Sequence, residues 1–73
     1  MATFAKLKER VQEMNPGCDA KRLEEAFVYA KKRFDGLYHS SGETYVQHVL
    51  LAAMNLLDFH PDDNMIIAAL LHS

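Results

Sequence analysis

Apolar residues recur along this chain at helical spacing, and no stretch holds the two-residue period of a strand. Phe4, Leu7, Val11 and Met14 fall three or four apart and predict a first helix over 3–14. Thr3 is placed to cap its free N–H groups. Asn15-Pro16-Gly17 should end it, because proline cannot continue the hydrogen-bond ladder and glycine accepts turn geometry. A second helix is expected over 20–34, with Asp19 as its cap and Leu23, Ala26, Phe27, Ala30 and Phe34 on its buried face. Lys31, Lys32 and Arg33 then fall in its last turn, where positive charge suits the helix dipole and the simplest reading is a solvated helix end.

The second half of the chain has a different pattern. After a loop over 35–42, a third helix is expected over 43–57, with Ser41 as a candidate cap. Tyr45, Val49, Ala52, Ala53 and Leu56 make one apolar face, and Val46, Leu50, Met54 and Leu57 make another. A helix apolar on most sides is normally enclosed by protein. A fourth helix is expected over 62–72, with Pro61 suited to its first turn and Asp62 and Asp63 to its positive end. The fold class is therefore all-α, one unit of four helices over 1–73. The last two helices carry more apolar surface than the two amphipathic ones can cover. Wet apolar area costs about 25 cal/mol per Å², so the expected partners are a second copy of the chain or the remainder of a longer protein.

Composition narrows the class. At 73 residues the chain is at most one small domain, and 49% hydrophobic with 25% charged residues is globular rather than disordered. A net charge of −2 and a pI near 6.0 give bulk electrostatics no grip on nucleic acid or an acidic membrane. The single cysteine, Cys18, excludes an internal disulfide or a cysteine-rich zinc site and points to a reducing cytoplasm. No secretory signal pattern opens the sequence, and the most apolar run, 65–71, is far short of the ~20 residues a membrane span requires.

Four histidines carry the candidate chemistry: His39, His48, His60 and His72. His48 and His72 interrupt the two apolar helices, and packing of those helices could bring both rings to one divalent ion. A working site needs three or four donors, and no carboxylate stands beside His72. The run Asp58-Phe59-His60-Pro61-Asp62-Asp63 reads as a polar turn followed by an acid-rich helix start. Ser40, Ser41 and Gly42 could offer backbone N–H groups to a phosphate, although capping by Ser41 explains them equally well. No nucleophilic triad, P-loop or dinucleotide fingerprint is present, and no catalytic residue is assigned.

Two segments are more specific than the physics alone. Ser41-Gly42-Glu43-Thr44-Tyr45-Val46-Gln47-His48 resembles the Ser-Gly-Glu-Pro-Tyr-Ile-x-His motif of the hydrolase domain of RelA/SpoT-type (p)ppGpp synthetase/hydrolases. Ile67-Ala68-Ala69-Leu70-Leu71-His72 is similar to that family's Ala-Ala-Leu-Leu-His-Asp segment, and Asn15-Pro16 with Leu23-Glu24-Glu25-Ala26-Phe27 to its first helices. The resemblance implies the four-helix N-terminal portion of an HD domain. Such domains use Mn²⁺ to hydrolyse the 3′-pyrophosphate of (p)ppGpp, the ion polarising the phosphate and activating water. By resemblance, His48 is the first metal histidine and His72 the histidine of the His-Asp pair, while His39 and Ser41 fall in the guanine-nucleotide region.

The departures are concentrated at chemical positions. Ser73 stands where the pair's aspartate is expected, and His39 where the family has an arginine that contacts nucleotide. Leu37 replaces a glutamine, Phe34 a histidine, and Thr44 and Val49 prolines. The family's Glu-Asp pair and its last metal aspartate have no counterpart among these residues. Three readings follow. The first is a fragment of an alarmone protein whose hydrolase site is degraded or incomplete, with a structural or regulatory role and no cofactor of its own. The second is a piece of an active Mn²⁺-dependent hydrolase cut within its site. The third is a helical self-association module.

Overall fold

In a computed structural model describing residues 2–72, four α-helices and one short 3₁₀ turn account for the regular structure: α1 (Phe4–Met14), α2 (Ala20–Arg33), α3 (Tyr45–Leu56) and α4 (Asp63–Leu71), with the turn at Leu57–Phe59. The described residues are all-α, and their nearest approach to sheet is one isolated bridge between Tyr38 and Thr44. Ser73, expected to stand in place of a metal aspartate, lies outside the described residues, as does Met1.

Each helix begins on a side-chain cap. Thr3 accepts from the Lys6 amide, Asp19 from Arg22, Thr44 from Gln47 and Asp62 from Met65. Each such bond satisfies one of the amides that a helix start leaves without an internal partner. Two starts differ from the sequence expectation. α3 opens at Tyr45 rather than at 43, and its cap is Thr44 rather than Ser41. The reason is a competing structure: the backbone of 38–44 is engaged in a hairpin-like turn, described below, which holds Glu43 out of the helix. α4 opens at Asp63, so Pro61 lies before the cap rather than in the first turn, and His72 follows the last helical residue with an extended backbone.

Nine buried residues, from every helix and the 3₁₀ turn, form the main core: Leu7, Val11, Leu23, Ala26, Leu50, Ala53, Leu57, Ile66 and Leu70. The alanines let helix axes approach closely while leucine and isoleucine fill the spaces between them. Phe27, on the edge of this core, stacks on Phe4 with centroids 4.4 Å apart, which pins α1 to α2. α4 packs into the angle between α2 and α3. Its start is tied down by the Asp19 amide, which donates to Asp63 Oδ2 at 2.9 Å, and by Arg22 Nη2, which donates to Asn64 Oδ1 at 2.9 Å. At the other end, Gln47 exchanges two hydrogen bonds with the Ala2 backbone, at 2.9 and 2.8 Å.

A smaller cluster of Ala30, Phe34 and Val49, flanked by Tyr45, Val46 and Leu71, joins the end of α2 to the start of α3 and the end of α4. Tyr45, at its edge, meets the rings of His39 and His48. Coverage of α3, the turn after it and the start of α4 is incomplete: Leu51 is 40%, Phe59 78% and Met65 48% exposed. Lys31, Lys32 and Arg33 occupy the last turn of α2 and are exposed, with Lys31 and Arg33 lying over the rings of Phe27 and Phe34. No described helix is long and apolar enough to cross a membrane.

Candidate functional site

The site is assembled by the connection between α2 and α3. Its backbone reverses at 39–42, where the Gly42 amide donates to the His39 carbonyl at 2.9 Å and the His39 amide donates to the Glu43 carbonyl at 2.8 Å. The Tyr45 amide donates to the Leu37 carbonyl at 2.9 Å and closes the loop onto the helix. Gly42 sits at φ 95°, a conformation that an L side chain strains to adopt. This reversal sets His39 and Glu43 opposite one another, and α3 carries His48 back beside them one turn later.

His39 and His48 stack face to face, with centroids 4.0 Å apart and planes 15° from parallel. Glu43 Oε1 lies 3.2 Å from His48 Nδ1. Among the described residues, His39, Glu43 and His48 are the one group of three metal-capable side chains, with a donor atom from each within 4.8 Å of the others. All three are partly buried. Tyr45 completes the surround, meeting His48 edge-on at 5.5 Å and Phe34 at 4.8 Å.

His72 reaches the same place from the end of α4, its ring centroid 5.4 Å from that of His48. Two imidazoles on one tetrahedral ion have centroids roughly 5 Å apart, so this spacing is compatible with a shared ion. Hydrogen bonds fix which nitrogens are free. His72 Nδ1 faces the Ala69 carbonyl, which can only accept, so that nitrogen carries the proton and Nε2 keeps its lone pair. His48 Nδ1 donates to the Glu43 carboxylate, and its Nε2 is likewise left as the donor atom for a metal. A metal histidine is commonly oriented in this way, by a carboxylate or carbonyl behind it.

The other sequence candidates fall as follows. His39 Nδ1 accepts from the Ser41 amide at 3.3 Å and lies 3.2 Å from Ser41 Oγ, so these two residues bind each other at the tip of the reversal. His60 occupies the bend before α4 in the left-handed region, φ 52°, and belongs to the chain path rather than to the cluster. Asp62 and Asp63 are engaged as cap and as acceptor for Asp19. Two features escaped sequence reasoning. Glu43, read there as a first-turn helical residue, is the carboxylate behind His48, and His39 is that ring's stacking partner. Periodicity carries no signal for either, because both depend on where the loop reverses.

Among curated proteins, the chain is 39% identical over 66 residues to the GTP pyrophosphokinase rsh of Brucella ovis, a match covering 90% of this chain and 9% of that protein. It is 35% identical over 72 residues to the bifunctional (p)ppGpp synthase/hydrolase SpoT of Escherichia coli K12, covering 99% of this chain and 10% of that protein. The same identity and coverage hold for the guanosine-3′,5′-bis(diphosphate) 3′-pyrophosphohydrolase of Shigella flexneri. Over this stretch, then, its homologues are RelA/SpoT-type alarmone proteins. The chain spans about a tenth of the length of the curated relatives it matches. No family model and no solved structure matches it.

Proposed function

We propose that this chain is the N-terminal portion of an HD-type hydrolase domain from a RelA/SpoT-type (p)ppGpp protein, that its hydrolase centre is degraded or incomplete, and that it serves a structural or regulatory role. The pairing of His48 with His72 carries the reading. Their ring centroids lie 5.4 Å apart, a spacing that supports a metal pair, and one homologue is a (p)ppGpp synthase/hydrolase. The donor set does not fit a catalytic Mn²⁺, however. Manganese favours carboxylate and water oxygens, and the one carboxylate in reach, Glu43, lies behind His48 on its Nδ1 side. The residue after His72 is Ser73, a neutral side chain where the family motif has an aspartate. At the nucleotide position, His39 supplies a short imidazole already engaged with Ser41 in place of a bidentate guanidinium.

The test is direct. The chain incubated with ppGpp and Mn²⁺ should release no pyrophosphate beyond a protein-free control. Mn²⁺-dependent release that His48→Ala abolishes would overturn the proposal and favour an active hydrolase.

The exposed Leu51, Phe59 and Met65 favour a second, compatible reading, in which another copy of the chain or a further part of a longer protein covers α3, the turn after it and the start of α4. Sedimentation at high micromolar concentration tests self-association, and a clean monomer rejects it.

A further inference from the structure

We propose that His39, Glu43 and His48 form a binding site for a borderline divalent ion of the Zn²⁺ class, seated on the Nδ1 side of His48 and independent of His72. Two imidazoles and one carboxylate make a donor set that suits zinc better than manganese. The His48 Nδ1 to Glu43 Oε1 separation is 3.2 Å. Two donors about 2.1 Å from a tetrahedral ion stand roughly 3.4 Å apart. The ion would thus take the place of the proton now shared between these atoms, with only a small opening of the pair, and that proton would move to His48 Nε2 through solvent.

His39 supplies the third ligand. Its ring lies against His48, and turning it out of the stack about its side-chain torsions aims Nε2 at the ion. Ser41 is placed to support the change. In the metal-free arrangement its amide donates to His39 Nδ1 at 3.3 Å. In the bound one, Nδ1–H can donate to Ser41 Oγ, now 3.2 Å away, which leaves Nε2 as an acceptor for the metal. The reversal at 39–42 and the Thr44 cap hold both ends of the cluster. The fourth position is left to water.

This site and a His48–His72 site use opposite nitrogens of one ring, so experiment separates them. The full chain is titrated with Zn²⁺ alone by calorimetry, and histidine ¹⁵N shifts are followed by NMR. One ion per chain is expected. His39→Ala and Glu43→Gln should each weaken binding at least tenfold, His72→Ala less than threefold, and the ¹⁵N perturbation should fall on His48 Nδ1. Three results would each overturn the proposal: no saturable binding up to millimolar Zn²⁺, a loss in His72→Ala equal to that in His48→Ala with His39→Ala unchanged, or coordination at His48 Nε2. Circular dichroism of each variant guards against unfolding, and the wild-type ¹⁵N result stands without any variant. No nucleotide is present in this experiment, so its outcome is separate from the ppGpp assay above.

Discussion

Leu70→Ala measures how firmly α4, and with it His72, is docked. Leu70 is fully buried in the main core, with α4 lodged between α2 and α3. The substitution removes three carbons, worth roughly 0.8 kcal/mol each in transfer, or about 2.4 kcal/mol together. A residual cavity of about 40 Å³, at ~24 cal/mol per Å³, adds about 1 kcal/mol. The expected loss is therefore about 3.5 kcal/mol. A chain of 73 residues has a total stability of roughly 4–11 kcal/mol, so the variant should lose a third or more of it. For a domain of this size the melting temperature should fall by on the order of 15–25 °C. Urea unfolding followed by far-UV circular dichroism is the assay. Leu51→Ala is the control: the same change on α3, at a side chain 40% exposed, should cost about 1 kcal/mol. The difference between the two cancels most of the helix-propensity and unfolded-state effects common to both. A Leu70→Ala loss below about 1 kcal/mol, or one equal to the control, would refute the docking of α4 described here.

Four further substitutions, in two pairs, test local structure. Thr44→Ala should cost about 1 kcal/mol and Ser41→Ala only a few tenths, measured by the same unfolding curves; the reverse order would move the start of α3 back to where sequence alone put it. His60→Gly should stabilise by about 0.5 kcal/mol, because glycine relieves the left-handed φ of 52° at the cost of a floppier unfolded chain. His60→Val should destabilise by about 1 kcal/mol or more, and a stabilising Val would show that the bend is not held at positive φ.

Helices α1 and α2 were legible because their information is local: a three-four apolar stripe, a capping Thr3 or Asp19, and a breaker at Asn15-Pro16-Gly17. The start of α3 was not, because Ser40, Ser41 and Thr44 all precede its apolar run and more than one of them could cap. What selects Thr44 is the bond from the Tyr45 amide to the Leu37 carbonyl, a contact across the loop that no window along the sequence reveals. The same reversal explains why the His48–His72 pair could be anticipated from two helices while the His39–Glu43–His48 cluster could not. Helix spacing brings the first pair together, and a left-handed glycine at position 42 brings the second.

Three of the positions that depart from the motif this sequence resembles have a structural role. Phe34, in place of a histidine, is buried and lies tilted against Tyr45, and Val49, in place of a proline, is fully buried beside it. Thr44, in place of another proline, provides the hydroxyl that caps α3. Phe34 and Val49 place apolar side chains between α2 and α3, and Thr44 caps the start of α3 by accepting from the Gln47 amide. A burial of this kind is worth about 1.5–3 kcal/mol and a cap about 1 kcal/mol, large amounts for so small a chain. His39 differs from these three, since it stacks on His48 rather than packing into the α2–α3 cluster. It places a ligand-competent ring on His48, which is why the zinc titration, rather than another stability measurement, is the experiment that separates a purely structural segment from one that has acquired a new site.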